Sequence, residues 1–567
     1  MTRWKWMCLR AAGAARKIVE KDQGYILGMF LFNGISILWT LCRAEQYMVM
    51  LLDSVFLLAV LTMWTILVES IPLRWLRRIF FWGAFLLSTL FWGMELFSIY
   101  HYQALVGAGI ITAILETNSR EAVEFLRMYV GWQVPAISFL GLLLGWSAWY
   151  WIFSKPLPLQ RRWQRRLLFS GLLLGFAAGV ELFFVYRPFI LDNSLDIPAL
   201  QVVTAGRMAA YDIGAYKEID QKMPADVEIL QDASDTPNIV FVLGEATNRG
   251  HMHLYGYALE NTPNLDELQQ EGEIVVFRDC ISPHATTVGA LRELFTFHDA
   301  ESVQPWYSYH NLIDVMRAAG YKTYWLSNQE SSGIWGNVAQ LFARRSQVHE
   351  FTRMRESHED FGALDEELFP MIDRARQQSG NKNFFVLHLM GGHSLYYMRF
   401  PYSFSRFTAA DIARNLPEEK RTVLAQYANA IYYNDYIVSG IFDKFRDTEA
   451  LVIYLPDHGE TIYDDGSNFA GHVEENPNHY MLEVPMIIWA SASYKERHPE
   501  KWAAIQAAAD RPYMTDDMIH TILDLAGIQT AESDLTRSIV SGNFAAGRVR
   551  MVQGRDYDTD IRLQAAH

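Results

Sequence analysis

The chain has 567 residues, with 64 acidic against 49 basic side chains for a net charge of −15, and a mean hydropathy near zero. That length calls for two or more domains, and the acidic balance excludes a nucleic-acid binder resting on a basic field. The mean hides a split: the segment 1–190 is rich in Leu, Phe, Trp and Ile, and the remainder reads as an ordinary α/β sequence.

Apolar runs of spanning length come first, at 24–42, 47–68, 79–100, 131–153 and 167–186. No small-residue cleavage site follows the first run, so it reads as an uncleaved anchor and not as a signal peptide. Basic residues collect in 1–21 (Arg3, Lys5, Arg10, Arg16, Lys17, Lys21), in 70–78 (Arg74, Arg77, Arg78) and in 154–166 (Lys155, Arg161, Arg162, Arg165, Arg166). These segments share one side of a five-span arrangement. The positive-inside rule then puts the N-terminus in the cytoplasm and everything after residue 187 across the membrane. Asp53, Glu95 and Glu181 fall inside the spans. Acids there are costly and mark function, unless they sit at headgroup depth or hydrogen-bond a neighbouring helix.

Residues 191–236 read as a linker with short helices. From 237 to 567 short apolar runs recur at 239–243, 274–277, 322–326, 384–389, 451–455 and 485–489. Helix-like stretches at 263–271, 287–297, 310–319, 364–377, 418–446 and 514–526 separate them. Strand–helix alternation on this scale predicts one α/β domain with a largely parallel sheet. Cys8 and Cys42 lie in or near the apolar part and only Cys280 lies in this domain, so no disulfide closes within it.

Ligands of such sheets collect at the carboxyl ends of the strands. "VFVLGEATN" delivers Glu245 there, "FFVLHLMGGHSLYY" delivers His388 and His393, and "LVIYLPDHGE" delivers Asp457, His458 and Glu460. Carboxylates and imidazoles from distant stretches suit a metal site, and this mixture fits zinc or manganese better than magnesium or calcium. Each residue also has a bland reading. His388 sits within its apolar run like a core histidine, Asp457–Gly459 is compatible with a plain turn, and "HMH" at 251–253 reads as a polar helix face. In "CISPHATTVGALRELFTF", 280–297, Thr286 and Thr287 stand at a helix start. The residues alone leave open whether either hydroxyl is a cap or a nucleophile.

Taken in order, "LGEATNRGHMHLYGY", "SPHATTVGALRELFTF", "YKTYWLSNQ", "HLMGGHSLYYMRFP" and "YLPDHGETIYDD" resemble the bacterial phosphoethanolamine transferases of the alkaline phosphatase/sulfatase superfamily. The likeness is to the branch that modifies lipopolysaccharide core sugars, and it extends to "ILETNSREAVEFL" at 114–126. The resemblance implies a five-helix transmembrane domain (1–190), the linker, and a periplasmic sulfatase-like catalytic domain (237–567) of a multi-pass bacterial inner-membrane protein. It implies a zinc site on Glu245, Thr287, Asp457 and His458, with one ion expected, a second allowed, and manganese second to zinc. The register S-P-x-x-x-T-V-x-A-L assigns the nucleophile to Thr287. Phosphatidylethanolamine is the implied donor, a lipopolysaccharide core sugar, lipid A or another envelope glycan the acceptor, and the chain a monomer. His393, His472 and His479 are the implied substrate or second-metal ligands, with His472 and His479 equal candidates. Asn328 and Gln329 either line the pocket or bond the chain at a strand end.

One departure is plain: the lipid A branch carries disulfides in its soluble domain and this chain has none to form there. A formylglycine sulfatase needs C/S-x-P-x-R, and "CISPH" has neither the spacing nor the arginine. A phosphoglycerol transferase of the lipoteichoic-acid-synthase type shares the covalent logic and is the alternative function. A non-catalytic scaffold requires a lost ligand or nucleophile, and all four positions are filled.

Overall fold

The structure, a computed structural model, describes residues 3–34, 47–102, 105–107, 110–111, 114, 227–330, 338–353, 363–466 and 468–562. The chain divides into two compact units, residues 1–112 with 130–209 and residues 113–129 with 210–567.

In the first unit, helices α1 (Arg3–Asn33), α2 (Tyr47–Glu69) and α3 (Arg74–Tyr102) are described. The second and third apolar runs coincide with α2 and α3. The described part of the first run continues the basic segment before it as one helix, kinked at Asp22. Among the described residues α3 is the helix long and apolar enough to cross a membrane. It turns Ile79, Leu86, Leu87 and Leu90 outward, the reverse of a water-soluble helix. Val19, Ile26 and Met29 of α1 pack on Leu57 and Leu61 of α2. Lys21 and Arg77 both pair with Glu69, at 3.0 and 2.7 Å. Glu95 is buried and accepts the backbone N–H of Val106 at 3.4 Å. The side chain of Asp53, Glu181, the runs at 131–153 and 167–186, and the 114–126 signature beyond residue 114 lie outside the described residues.

The second unit is built on a seven-stranded sheet. Its strands are β1 (Asn238–Gly244), β2 (Ile274–Phe277), β3 (Lys322–Glu330), β4 (Val348–Arg353), β5 (Asn383–His388), β6 (Ala450–Pro456) and β7 (Met486–Ala490). The order is β2-β7-β6-β1-β5-β3-β4. Only β7 runs against its neighbours; β6, β1, β5, β3 and β4 pair in parallel. All six apolar runs of this domain are strands of this sheet. β4 is the addition: "VHEFTR" is an edge strand whose charges hide it from a search for apolar runs.

Period-2 geometry sends alternate residues of each strand to opposite faces. In β1, Ile239, Phe241 and Leu243 enter one core with Val386 and Ile453, while Val240 and Val242 enter the other with Phe385 and Tyr454. Helices Thr287–Leu294, Leu312–Ala318 and Met518–Ala526 cover the first face. The long helix Glu418–Phe445 covers the second through Leu424, Ile431, Val438 and Phe442. Burial on both sides is why the strands read as unbroken apolar runs. Strand Ile229–Asp232 pairs with Ile528–Thr530, so the folded unit takes in the end of the segment expected to be a linker.

Candidate active site

β1 and β6 pair with Gly244 opposite Pro456. The next residue of each strand, Glu245 and Asp457, therefore leaves the sheet side by side at its carboxyl edge. His458 follows, and all three are at most 1% exposed. His458 Nε2 lies 3.4 Å from Glu245 Oε1 and 3.5 Å from Asp457 Oδ2. Its Nδ1 donates to the Gly459 carbonyl at 2.8 Å; a carbonyl only accepts, so Nε2 is the atom left to bind a ligand.

Thr287 is the first residue of its helix. Its Oγ1 stands 3.2 Å from Glu245 Oε1 and 3.4 Å from His458 Nε2. Thr286 takes the N-cap position in extended conformation (φ −142°, ψ 146°) but makes no capping bond to the helix; its hydroxyl donates to Glu474 Oε2 at 3.2 Å. The two threonines thus have separate partners.

The donor chemistry fits a cation. Asp457 Oδ1 accepts from the Ala246 and His458 N–H groups at 3.2 and 2.8 Å, while its Oδ2 is buried with no hydrogen-bond partner. An orphaned carboxylate oxygen is costly, and metal coordination is one way to satisfy it. Glu245, Asp457 and His458 each offer one ligand atom within 4.8 Å of the others. Two carboxylate oxygens, one imidazole nitrogen and the Thr287 oxygen suit tetrahedral zinc. Burial and then the adjacent Glu245 push the Asp457 carboxyl up to about 7. Burial also opposes ionisation of Glu245, but the His458 hydrogen bond and charge outweigh it and hold that carboxyl below its ordinary range. Against burial, Asp457 and Glu245 raise His458 to about 10.

A second donor group shares His458 and adds Glu460 and His472. His472 Nδ1 is 3.1 Å from Glu460 Oε2, and its ring centroid is 4.0 Å from that of His458. The Tyr396 hydroxyl donates to Glu460 Oε1 at 2.7 Å. His479 belongs to neither group among the described residues; it opens the short helix His479–Leu482 and packs on Tyr480. The fold therefore separates two histidines that the sequence ranked equally. Glu460 was visible at its strand end, whereas Tyr396 was masked by its aromatic neighbours.

Gln329 extends from β3 and donates to Glu245 Oε2 and to the Leu389 carbonyl, both at 3.2 Å. Asn328 faces elsewhere, donating to Asp365 Oδ1 at 2.8 Å and accepting from Thr352 at 2.8 Å; it bonds the chain at a strand end. His393 is half-buried in the loop that follows β5. The preceding Gly392 N–H donates to the Glu245 carbonyl at 2.9 Å. His388 is a core histidine, buried against Trp325 and held down to about 4 by burial. His251 and His253 lie on short 3-10 turns and pair with Asp464 and Asp266, at 3.0 and 2.6 Å, not with a ligand set.

The chain is 25% identical over 487 residues to phosphoethanolamine transferase EptC of Escherichia coli O18:K1:H7 strain RS218, covering 81% of this chain and 82% of that one. The crystal structure of the C-terminal periplasmic domain of E. coli EptC in complex with Zn is 28% identical, covering 58% of this chain and 95% of that one, with a TM-score of 0.54. The integral membrane lipooligosaccharide phosphoethanolamine transferase A of Neisseria meningitidis shares the fold at 17% identity and a TM-score of 0.61, over 93% of this chain and 97% of that one. The sulfatase family model matches residues 237–528, the stretch that holds the whole sheet and every donor residue at its carboxyl edge, and the chain belongs to the sulfatase family.

Proposed function

We propose that this chain is a metal-dependent phosphoethanolamine transferase, moving phosphoethanolamine from phosphatidylethanolamine to a lipopolysaccharide or other envelope glycan through a covalent adduct on Thr287. One observation carries the reading: a threonine hydroxyl at a helix start, within 3.4 Å of two residues of a buried donor set. A plain helix cap has no reason to face a carboxylate and an imidazole. The EptC likeness supports phosphoethanolamine as the group transferred, and the Zn complex of the EptC domain supports zinc as the metal. They also support an inner-membrane protein whose catalytic unit faces the periplasm.

Zinc held by Glu245, Asp457, His458 and Thr287 would lower the pKa of the hydroxyl it binds and offset phosphate charge. The chain's own residues do the rest. Thr287 Oγ1 attacks the phosphorus of the phosphodiester; the bond from phosphorus to the glycerol oxygen breaks, and diacylglycerol leaves with a proton. The helix start at Thr287 favours the anionic phosphate there. His393 and His472 flank the donor set and hold the phosphate oxygens. An acceptor hydroxyl then attacks the same phosphorus, the bond to Thr287 breaks, and Thr287 Oγ1 takes up the acceptor's proton, which restores its hydroxyl. Splitting one displacement into two is the gain of a covalent nucleophile.

The test is intact-protein mass spectrometry of the full-length chain after incubation with phosphatidylethanolamine. A phosphoethanolamine adduct is expected on Thr287, lost in Thr287→Ala and retained in Thr286→Ala. An adduct on Thr286, or on no threonine with zinc bound, refutes the assignment. Comparing envelope glycolipid masses with and without the protein locates the acceptor.

A further inference from the structure

The nucleophile's helix is held by a set of residues that neither bind the donor set nor form the ordinary core. Glu474 comes from a segment 187 positions beyond Thr287 and is 9% exposed. It gathers the turn that precedes the helix. Its Oε2 accepts from the Ala285 N–H at 2.9 Å and the Thr286 hydroxyl at 3.2 Å, and its Oε1 meets His284 Nδ1 at 2.6 Å. Gln553, in a separate hairpin near the C-terminus, also donates to Oε1. The other face of the same imidazole reaches the helix: His284 Nε2 lies 3.3 Å from Glu293 Oε1, in its last turn.

Gly289 completes the arrangement. A Cβ built there would stand 2.6 Å from His284 Cγ and 2.7 Å from its Nδ1. Glycine weakens a helix interior, so its presence two residues after Thr287 has a local reason: only a bare backbone lets the ring lie along the helix. The ring is pinned between Glu474, Glu293 and the helix backbone, and the turn is pinned to Glu474. Thr286 serves this bond instead of capping the helix.

We infer that Glu474, through His284 and seated against Gly289, is a positioning device that sets where Thr287 Oγ1 points. The inference rests on Thr287 being the nucleophile. Glu474 is a positioning residue, since its contacts are with the turn and not with the donor set. A misplacement of about 1 Å costs on the order of 100-fold in rate, and that is the scale expected here.

The experiment uses the full-length chain in detergent with zinc, fluorescent phosphatidylethanolamine as donor, and diacylglycerol release as readout. Glu474→Ala and Gly289→Ala are each expected to lower kcat by about 100-fold, with KM within about twofold and zinc content unchanged. Glu474→Gln keeps an acceptor for the Ala285 N–H, so it is expected to recover at least about tenfold of the loss in Glu474→Ala. A purely structural role would move the melting temperature or the zinc content and leave kcat per zinc-loaded molecule unchanged; that outcome in Gly289→Ala, or in Glu474→Ala, overturns the inference. If Glu474→Ala does not fold, Gly289→Ala and Glu474→Gln decide, and wild-type kcat in both overturns it. Wild-type protein that releases no diacylglycerol with zinc bound refutes the transferase reading itself, which is a different result from an active wild type with equally active variants.

Discussion

Gly391→Ala is the substitution whose effect follows most directly from the geometry. Gly391 has φ +46°, and a Cβ there would lie 2.7 Å from the Glu245 carbonyl oxygen and 3.0 Å from its nitrogen. The loop cannot step aside freely: Gly391 N–H donates to Asp365 Oδ2 at 3.0 Å, and Gly392 N–H to the Glu245 carbonyl at 2.9 Å. The left-handed conformation costs a non-glycine residue about 1 kcal/mol, and the clash adds overpacking of about 1–3 kcal/mol. A total of about 2–4 kcal/mol corresponds to a fall in melting temperature of roughly 3–6 °C for a domain of this size. The backbone that gives way is that of Glu245, so zinc affinity should fall by about 10–100-fold as well. Differential scanning calorimetry reads the first effect and chelator competition the second. A variant that melts with wild type and binds zinc as tightly would refute the idea that this loop and Glu245 are tightly packed.

The other expectations are briefer. Glu245→Ala and Asp457→Ala each remove a buried donor and should lose bound zinc in elemental analysis; a full equivalent in either contradicts the assigned site. Gln329→Ala removes the hydrogen bond that orients Glu245 Oε2 and should weaken zinc binding by about tenfold without unfolding the chain, as measured by the same competition. His520 is 6% exposed, its Nδ1 accepts the Asp534 N–H at 3.1 Å, and burial followed by Arg537 pushes its pKa down to about 4. An unfolded histidine titrates near 6.5, so between these values the unfolded state binds the extra proton. The stabilisation is complete above about pH 6.5 and is lost as pH falls toward about 4, by an amount of order 3 kcal/mol. His520→Asn, which keeps an acceptor, should flatten that part of the stability profile; identical slopes would rule the contribution out.

Much of the sheet was legible because a strand buried on both faces must be apolar throughout. What escaped is equally physical. β4 is an edge strand that carries His349, Glu350, Thr352 and Arg353 in six residues, so its composition resembles a loop. β3 continues through Ser327, Asn328 and Gln329, past its apolar run, because polar residues there have partners: Asn328 with Asp365 and Gln329 with Glu245. The reversed direction of β7 is set by pairing on both sides, and no local pattern encodes it. His472 and His479 could not be ranked from spacing, since seven positions of irregular chain separate them. The fold distinguishes them, by bringing His472 to Glu460 and against the ring of His458.

The donor pair shows where reading a sequence stops and folding takes over. "NIVFVLGE" and "ALVIYLPD" each end on a carboxylate, and either alone is compatible with a strand followed by a turn. They become one site because β1 pairs with β6 in a register that puts Gly244 opposite Pro456. A slip of one residue would send every side chain of one strand to the opposite face and separate the two carboxylates. The same slip would exchange Phe241 for Val240 in the cores, so the packing that excludes it also sets the spacing of Glu245 and Asp457. Thr287 joins from a helix 42 positions beyond Glu245 and 171 before His458. Ligands drawn from such distances do not meet in the unfolded chain, so whatever ion they bind stabilises the folded state by its full binding free energy. Burying two adjacent carboxylates with Asp457 Oδ2 left without a hydrogen bond is unfavourable by itself, and a bound cation would offset that cost.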